Sequence, residues 1–138
     1  MGRILAIDYG LKKTGIAATD PLKIIASPLE TIPTVNLIPW LKAYLLNENV
    51  ERFVIGMPKN LDLSDTHTTQ PVKTFIGKLR AEFKTIPVSE IDERFTSKIA
   101  MQSMVLGGMK KMERRKKEHV DKISATLILQ SYIAQNSI

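Results

Sequence analysis

The chain contains no cysteine. That absence excludes disulfides and thiolate metal sites, and it agrees with a reducing, cytosolic compartment. Imidazoles are scarce as well: His67 and His119 are the two present, and both read as surface residues. Long apolar runs are also missing. The N-terminal run Ile4 to Ile7 is broken by Asp8, and no stretch approaches the ~20 apolar residues that a membrane helix needs. The expectation is a soluble, cytoplasmic protein without a signal peptide or membrane anchor.

What is present fits one ordinary domain spanning 1–138, with 43% hydrophobic residues and a single core. Acidic side chains are outnumbered 14 to 20 by lysine and arginine, for a net charge of +6. The excess is local. Lys110, Lys111, Arg114, Arg115, Lys116 and Lys117 lie together, opposed there by Glu113 alone. Such a run is either a solvated loop or a phosphate-binding arm for nucleic acid.

Hydrophobic periodicity gives the element order. Ile4 to Ile7 reads as a buried strand and Gly15 to Thr19 as its hairpin partner, across a turn containing Gly10 to Lys13. Ile24 to Thr31 is a third strand, and Pro28 and Pro33 mark it as an edge or as ending there, because proline cannot donate to a ladder. A helix from Asn36 shares Leu37, Leu41, Tyr44 and Leu45 on one face, with Pro39 in its first turn. Phe53 to Ile55 is a fourth strand. Pro71 opens a second helix carrying Val72, Phe75, Ile76, Leu79 and Phe83 at helical spacing, and Ile86 to Ile91 is a fifth strand. A third helix, capped by Thr96 or Ser97, runs to about Leu106. The last helix covers Glu118 to Ala134, with Val120, Ile123, Leu127 and Ile128 as its apolar stripe. This order predicts an α/β fold: a mixed five-stranded sheet flanked by helices, its first three strands antiparallel and its later strands added in parallel.

Three carboxylates converge in this scheme. Asp8 ends the first strand, Glu93 ends the fifth, and Asp121 lies in the first turn of the last helix. Ligands of open α/β sheets bind beyond the carboxyl ends of parallel strands. Each acid also has a local explanation: Asp8 as a turn former, Asp92 or Glu93 as a cap or a partner of Arg94, Asp121 as a helix-dipole residue. Crowding three like charges is costly unless a cation compensates them. Oxygen donors without thiolates favour Mg2+ or Mn2+, one ion or two, and such sites commonly act on phosphate esters.

The segments AIDYGLKKTGIAATD, VIGMPKNLDLSD, IDERFTS and HVDKISATLILQSYI occur in that order along the chain. Together they resemble the four signatures of the YqgF (or RuvX) family, which is similar to the RuvC Holliday junction resolvases. The resemblance implies a ribonuclease-H-like fold and a hydrolase of ribosome biogenesis that trims the 5′ end of pre-16S ribosomal RNA. By position it implies Asp8, Glu93 and Asp121 as the catalytic, metal-holding set. Lys12, Lys13, Lys59, Asn60 and Arg94 are then candidates for phosphate or loop positioning. Strand four ends in Gly56, Met57 and Pro58 with no acid, so the second carboxylate comes from strand five.

Two rivals remain at this level. IDYGLKKTGIA also resembles the first phosphate loop of the actin and Hsp70 ATPases, but these need two such domains. A noncatalytic nucleic-acid-binding protein could keep the fold and the basic run. The expected partner is nucleic acid, pre-rRNA foremost and branched DNA second, with no membrane.

Overall fold

Ile4 to Ile7 carry no polar side chain because their strand is covered on both faces, the pattern expected at the centre of a partly parallel sheet. The computed structural model describes residues 2–57, 69–92 and 117–136, with 92, 117–123 and 135–136 as backbone only. The strands are β1 (Arg3–Asp8), β2 (Lys13–Thr19), β3 (Ala26–Pro33), β4 (Val50–Met57) and β5 (Val88–Asp92). The helices are α1 (Leu37–Asn47), α2 (Thr69–Glu82) and α3 (Lys117–Asn136), and a 3-10 turn at Thr34–Asn36 leads into α1. The sheet order is β3-β2-β1-β4-β5. β1 pairs antiparallel with β2, and β2 with β3, whereas β1–β4 and β4–β5 are parallel, as the element order predicts.

Strand alternation divides the core in two. Leu5, Ile7, Ile16, Phe53 and Ile55 face α1 and α2, where they meet Leu37, Leu41, Val72, Phe75, Ile76 and Leu79. Ile4, Ala6, Ala17, Val54 and Ile91 face α3 and its Ala125, Ile128 and Leu129. Each large apolar side chain fully buried here is worth about 1.5–3 kcal/mol, so the two covered faces anchor β1, and β4 beside it, firmly in the sheet.

Several boundaries differ from the sequence expectation for identifiable reasons. β3 begins at Ala26 because the Asp20 carboxylate accepts the backbone N–H of Ile24 (2.8 Å) and of Ile25 (2.9 Å), holding both in a turn. Lys23 has a positive φ of 60° in that turn, and Ile24 and Ile25 stay exposed. Pro28 and Pro33 do sit on an edge strand, and a register shift between Ile16 and Ala17 lies beside Pro28, the partner of Ala17. β4 is longer than Phe53 to Ile55 because β1 and β5 both pair with it. α2 starts at Thr69, with Pro71 in the first turn, where a missing N–H costs nothing. β5 starts after Pro87, since the Ile86 N–H is taken by the Phe83 carbonyl at 3.1 Å. On α3 the described buried positions are Ser124, Ala125, Ile128 and Leu129, while Leu127 is only half-buried. Of the expected stripe, Ile128 is buried and Leu127 half-buried, while the side chains of Val120 and Ile123 are not among those described; the seam also includes small residues that let α3 lie close to the sheet. The helix expected over 96–106 lies outside the described residues. No described helix is long and apolar enough to cross a membrane.

Candidate active site

Parallel pairing brings the carboxyl ends of β1, β4 and β5 to one edge of the sheet. Asp8 is the last residue of β1, at the centre of that edge, and it is half-buried. It shares strand parity with Ile4 and Ala6, both of which face α3. α3 carries Asp121 in its second turn, so the helix that bears one expected acid covers the face that bears another. The side chain of Asp121 is not among those described, and Glu93, one residue past the end of β5, lies outside the described residues. Among the described residues no three acids or imidazoles form a metal-binding cluster.

The neighbours of Asp8 are informative. The antiparallel ladder pairs it with Gly15, and one step beyond the Ile7–Ile55 pair the parallel ladder brings Gly56 alongside. Gly56 in turn pairs with Ile91. Asp8 is thus flanked on both adjoining strands by residues without side chains, and both glycines are themselves buried.

The turn after Asp8 is held by a ring of hydrogen bonds. The Thr34 hydroxyl donates to the Gly10 carbonyl at 2.7 Å, which uses its one proton. The 2.9 Å contact between the Thr14 and Thr34 hydroxyls must therefore have Thr14 as donor. Thr14 Oγ1 in turn accepts the Gly10 N–H at 3.4 Å, closing the ring. Thr14 is completely buried, and the Lys12 carbonyl accepts the Thr34 N–H at 2.9 Å. Gly10 itself is obligatory, because a Cβ there would lie 2.2 Å from the Lys13 carbonyl oxygen. Two threonines 20 positions apart gave no sequence signal, since only the β2–β3 register joins them.

Of the expected phosphate-binding residues, Lys12 is exposed at the tip of this turn and Lys13 is half-buried at the start of β2. Lys59, Asn60, Arg94, Lys110, Lys111, Arg114, Arg115 and Lys116 lie outside the described residues. Lys117 opens α3, so the basic run leads directly into the helix that carries Asp121.

The family model described as RuvX, Holliday junction resolvase, matches residues 2–135. A protein of Porphyromonas gingivalis is 48% identical over 96% of each chain, and one of Christiangramia forsetii is 49% identical over 96% of this chain and 98% of its own. Both are named, provisionally, as pre-16S rRNA nucleases. Among solved structures, RuvC of Thermus thermophilus bound to a Holliday junction is similar over 99% of this chain and 97% of its own, with a TM-score of 0.55 and 18% identity. That likeness establishes the ribonuclease-H-like fold.

Proposed function

This chain belongs to the RuvX family, and from that premise we propose that it is a nuclease that hydrolyses phosphodiester bonds at the 5′ end of pre-16S ribosomal RNA. The observation that carries the reading is Asp8, a half-buried carboxylate at the carboxyl end of the central strand, on the face covered by the helix bearing Asp121.

Three carboxylates and no thiolate form a hard donor set that fits Mg2+ or Mn2+, so Asp8, Glu93 and Asp121 would hold one ion or two. When bound, the metal supplies positive charge to the phosphate oxygens and lowers the pKa of a water. The chain does the rest. Gly15 and Gly56 put no side chain beside Asp8 on either neighbouring strand. Lys12, beside them, and Lys13, with Lys59, Asn60, Arg94 and the basic run 110–117, would grip phosphates on either side.

A second reading, cleavage of four-way DNA, is favoured by the family description. Incubating the purified protein with a pre-16S RNA 5′ fragment and with a four-way DNA junction, each with and without Mn2+, decides between them. Metal-dependent RNA cleavage supports the proposal. Cleavage of the junction alone would assign a resolvase, and binding without cleavage of either would assign a noncatalytic binding protein.

A further inference from the structure

Alternation sends Asp8 and Tyr9 to opposite faces of the sheet, and a cavity of about 300 Å3 opens on the Tyr9 side. Its lining is Tyr9, Gln70, Pro71, Thr74, Phe75 and Lys78. The Tyr9 ring stacks on Phe75 at 4.9 Å between centroids and 26° between planes. Phe75 is only 5% exposed, so the ring beneath Tyr9 is fixed by the core, while Tyr9 itself is half-buried. Gln70, Thr74 and Lys78 recur at four-residue spacing along α2 and are exposed, forming a polar ladder beside the aromatic pair. Among the described residues Lys78 enters no ion pair, whereas its neighbours Arg80 and Glu82 are engaged by Glu90 and Lys42.

An aromatic platform, an amide, a hydroxyl and a cation in one small cavity match the parts of a single nucleotide. The volume is at the lower end of ligand sites, enough for a base and too small for a duplex. We propose that this cavity receives the base of an unpaired nucleotide adjoining the scissile phosphate. Tyr9 stacks on the base, Gln70 and Thr74 hydrogen-bond its edge, and Lys78 meets the phosphate. The inference rests on the nuclease reading of Asp8. Successive strand residues are ~3.3 Å apart, so a nucleic-acid strand crossing the sheet edge meets the carboxylate on one side and the ring on the other.

The test is binding of a short single-stranded RNA without divalent metal, so that no cleavage intervenes, using a series with one abasic position moved along the strand. With the intact protein, one abasic position should weaken binding about 5- to 150-fold, the range of a single base–aromatic stack. Tyr9→Leu should lose a similar factor with intact RNA and nothing more at that abasic position, while Tyr9→Phe should bind normally. Lys78→Gln should flatten the slope of log K against log salt by ~0.7. Equal binding at every abasic position, additive losses in Tyr9→Leu, or no binding of single-stranded RNA would each overturn the subsite. Coupling without any cleavage in Mn2+ would instead refute the nuclease reading and leave a base-binding pocket. Cleavage without coupling would do the reverse.

Discussion

Removing the Thr14 hydroxyl measures what holds the turn behind Asp8. Thr14→Val keeps the shape of a completely buried side chain and deletes one good hydrogen bond, 2.9 Å to Thr34, and one long one, 3.4 Å from the Gly10 N–H. A good buried bond contributes ~0.5–1.5 kcal/mol net and the long one less, so the loss should be about 1–2 kcal/mol. For a chain of this size each kcal/mol shifts the melting midpoint by about 4 °C, which gives a fall of about 4–8 °C. Thr34→Val deletes two good bonds, its 2.7 Å donation to the Gly10 carbonyl and the 2.9 Å bond it accepts, but its half-exposed site admits water. It should therefore cost a similar amount. Because the two hydroxyls share one bond, the double variant should cost less than the sum by about 1 kcal/mol. Thermal and urea unfolding of the four proteins make the cycle. Additivity within about 0.3 kcal/mol would refute the closed ring.

Asp8→Asn should abolish cleavage and leave RNA affinity nearly unchanged. If Glu93 and Asp121 lie beside it as proposed, losing its charge relieves repulsion, so the variant should melt at or above the wild type without metal, and gain less from Mn2+, in paired thermal melts; a metal-independent drop would make Asp8 a turn former instead. Gly10→Ala must displace the Lys13 carbonyl 2.2 Å from the new Cβ, and should lose ~1–3 kcal/mol in urea unfolding together with cleavage rate. Replacing Lys110, Lys111, Arg114 and Arg115 by glutamine should flatten the salt dependence of RNA binding by roughly 0.7 to 0.9 per residue without lowering the melting point; an unchanged slope would make the run a solvated loop. The N–H groups of Ile25 and Ile24 hold the Asp20 carboxyl below its ordinary range. Its contribution to stability is then complete above the unfolded pKa of ~3.9 and lost as the pH falls through the lower folded value. The melting difference between wild type and Asp20→Asn should be constant near neutrality and shrink only in strong acid.

The legible parts of the fold were those fixed by period. An unbroken apolar run gave β1, helical spacing gave the buried face of α2, and Pro28 and Pro33 marked β3 as an edge. Boundaries shifted where a side chain competed with the backbone, as Asp20 does at Ile24 and Ile25, or where two neighbours extended a strand, as at β4. On α3 the buried Ser124 and Ala125 were missed, because small residues carry little hydrophobic signal but permit close packing. At the site, the position of Asp8 could be read from strand order and Asp121 could be assigned to the last helix. The flanking pair Gly15 and Gly56 could not be read, since they meet only through the register of three strands.

Register joins these observations into one argument. Slipping β1 by a single residue against its partners would turn Asp8 toward α2 and Tyr9 toward α3, exchanging the acid and the ring. The apolar sets on the two faces resist that slip, because Leu5 and Ile7 would trade places with Ile4 and Ala6. At the carboxyl end of β1, however, the apolar pattern stops and no longer specifies register. There the Thr14–Thr34–Gly10 ring takes over, tying the turn to β2 and to the entry of α1 within two residues of Asp8. The ring is therefore expected to influence chemistry as well as stability. A Thr14→Val protein, still folded well below its melting point, should cleave more slowly than its stability loss explains, because the carboxylate is less sharply aimed toward α3. Single-turnover rates measured at a temperature where both proteins are fully folded would show it, and equal rates would confine the ring to a structural role.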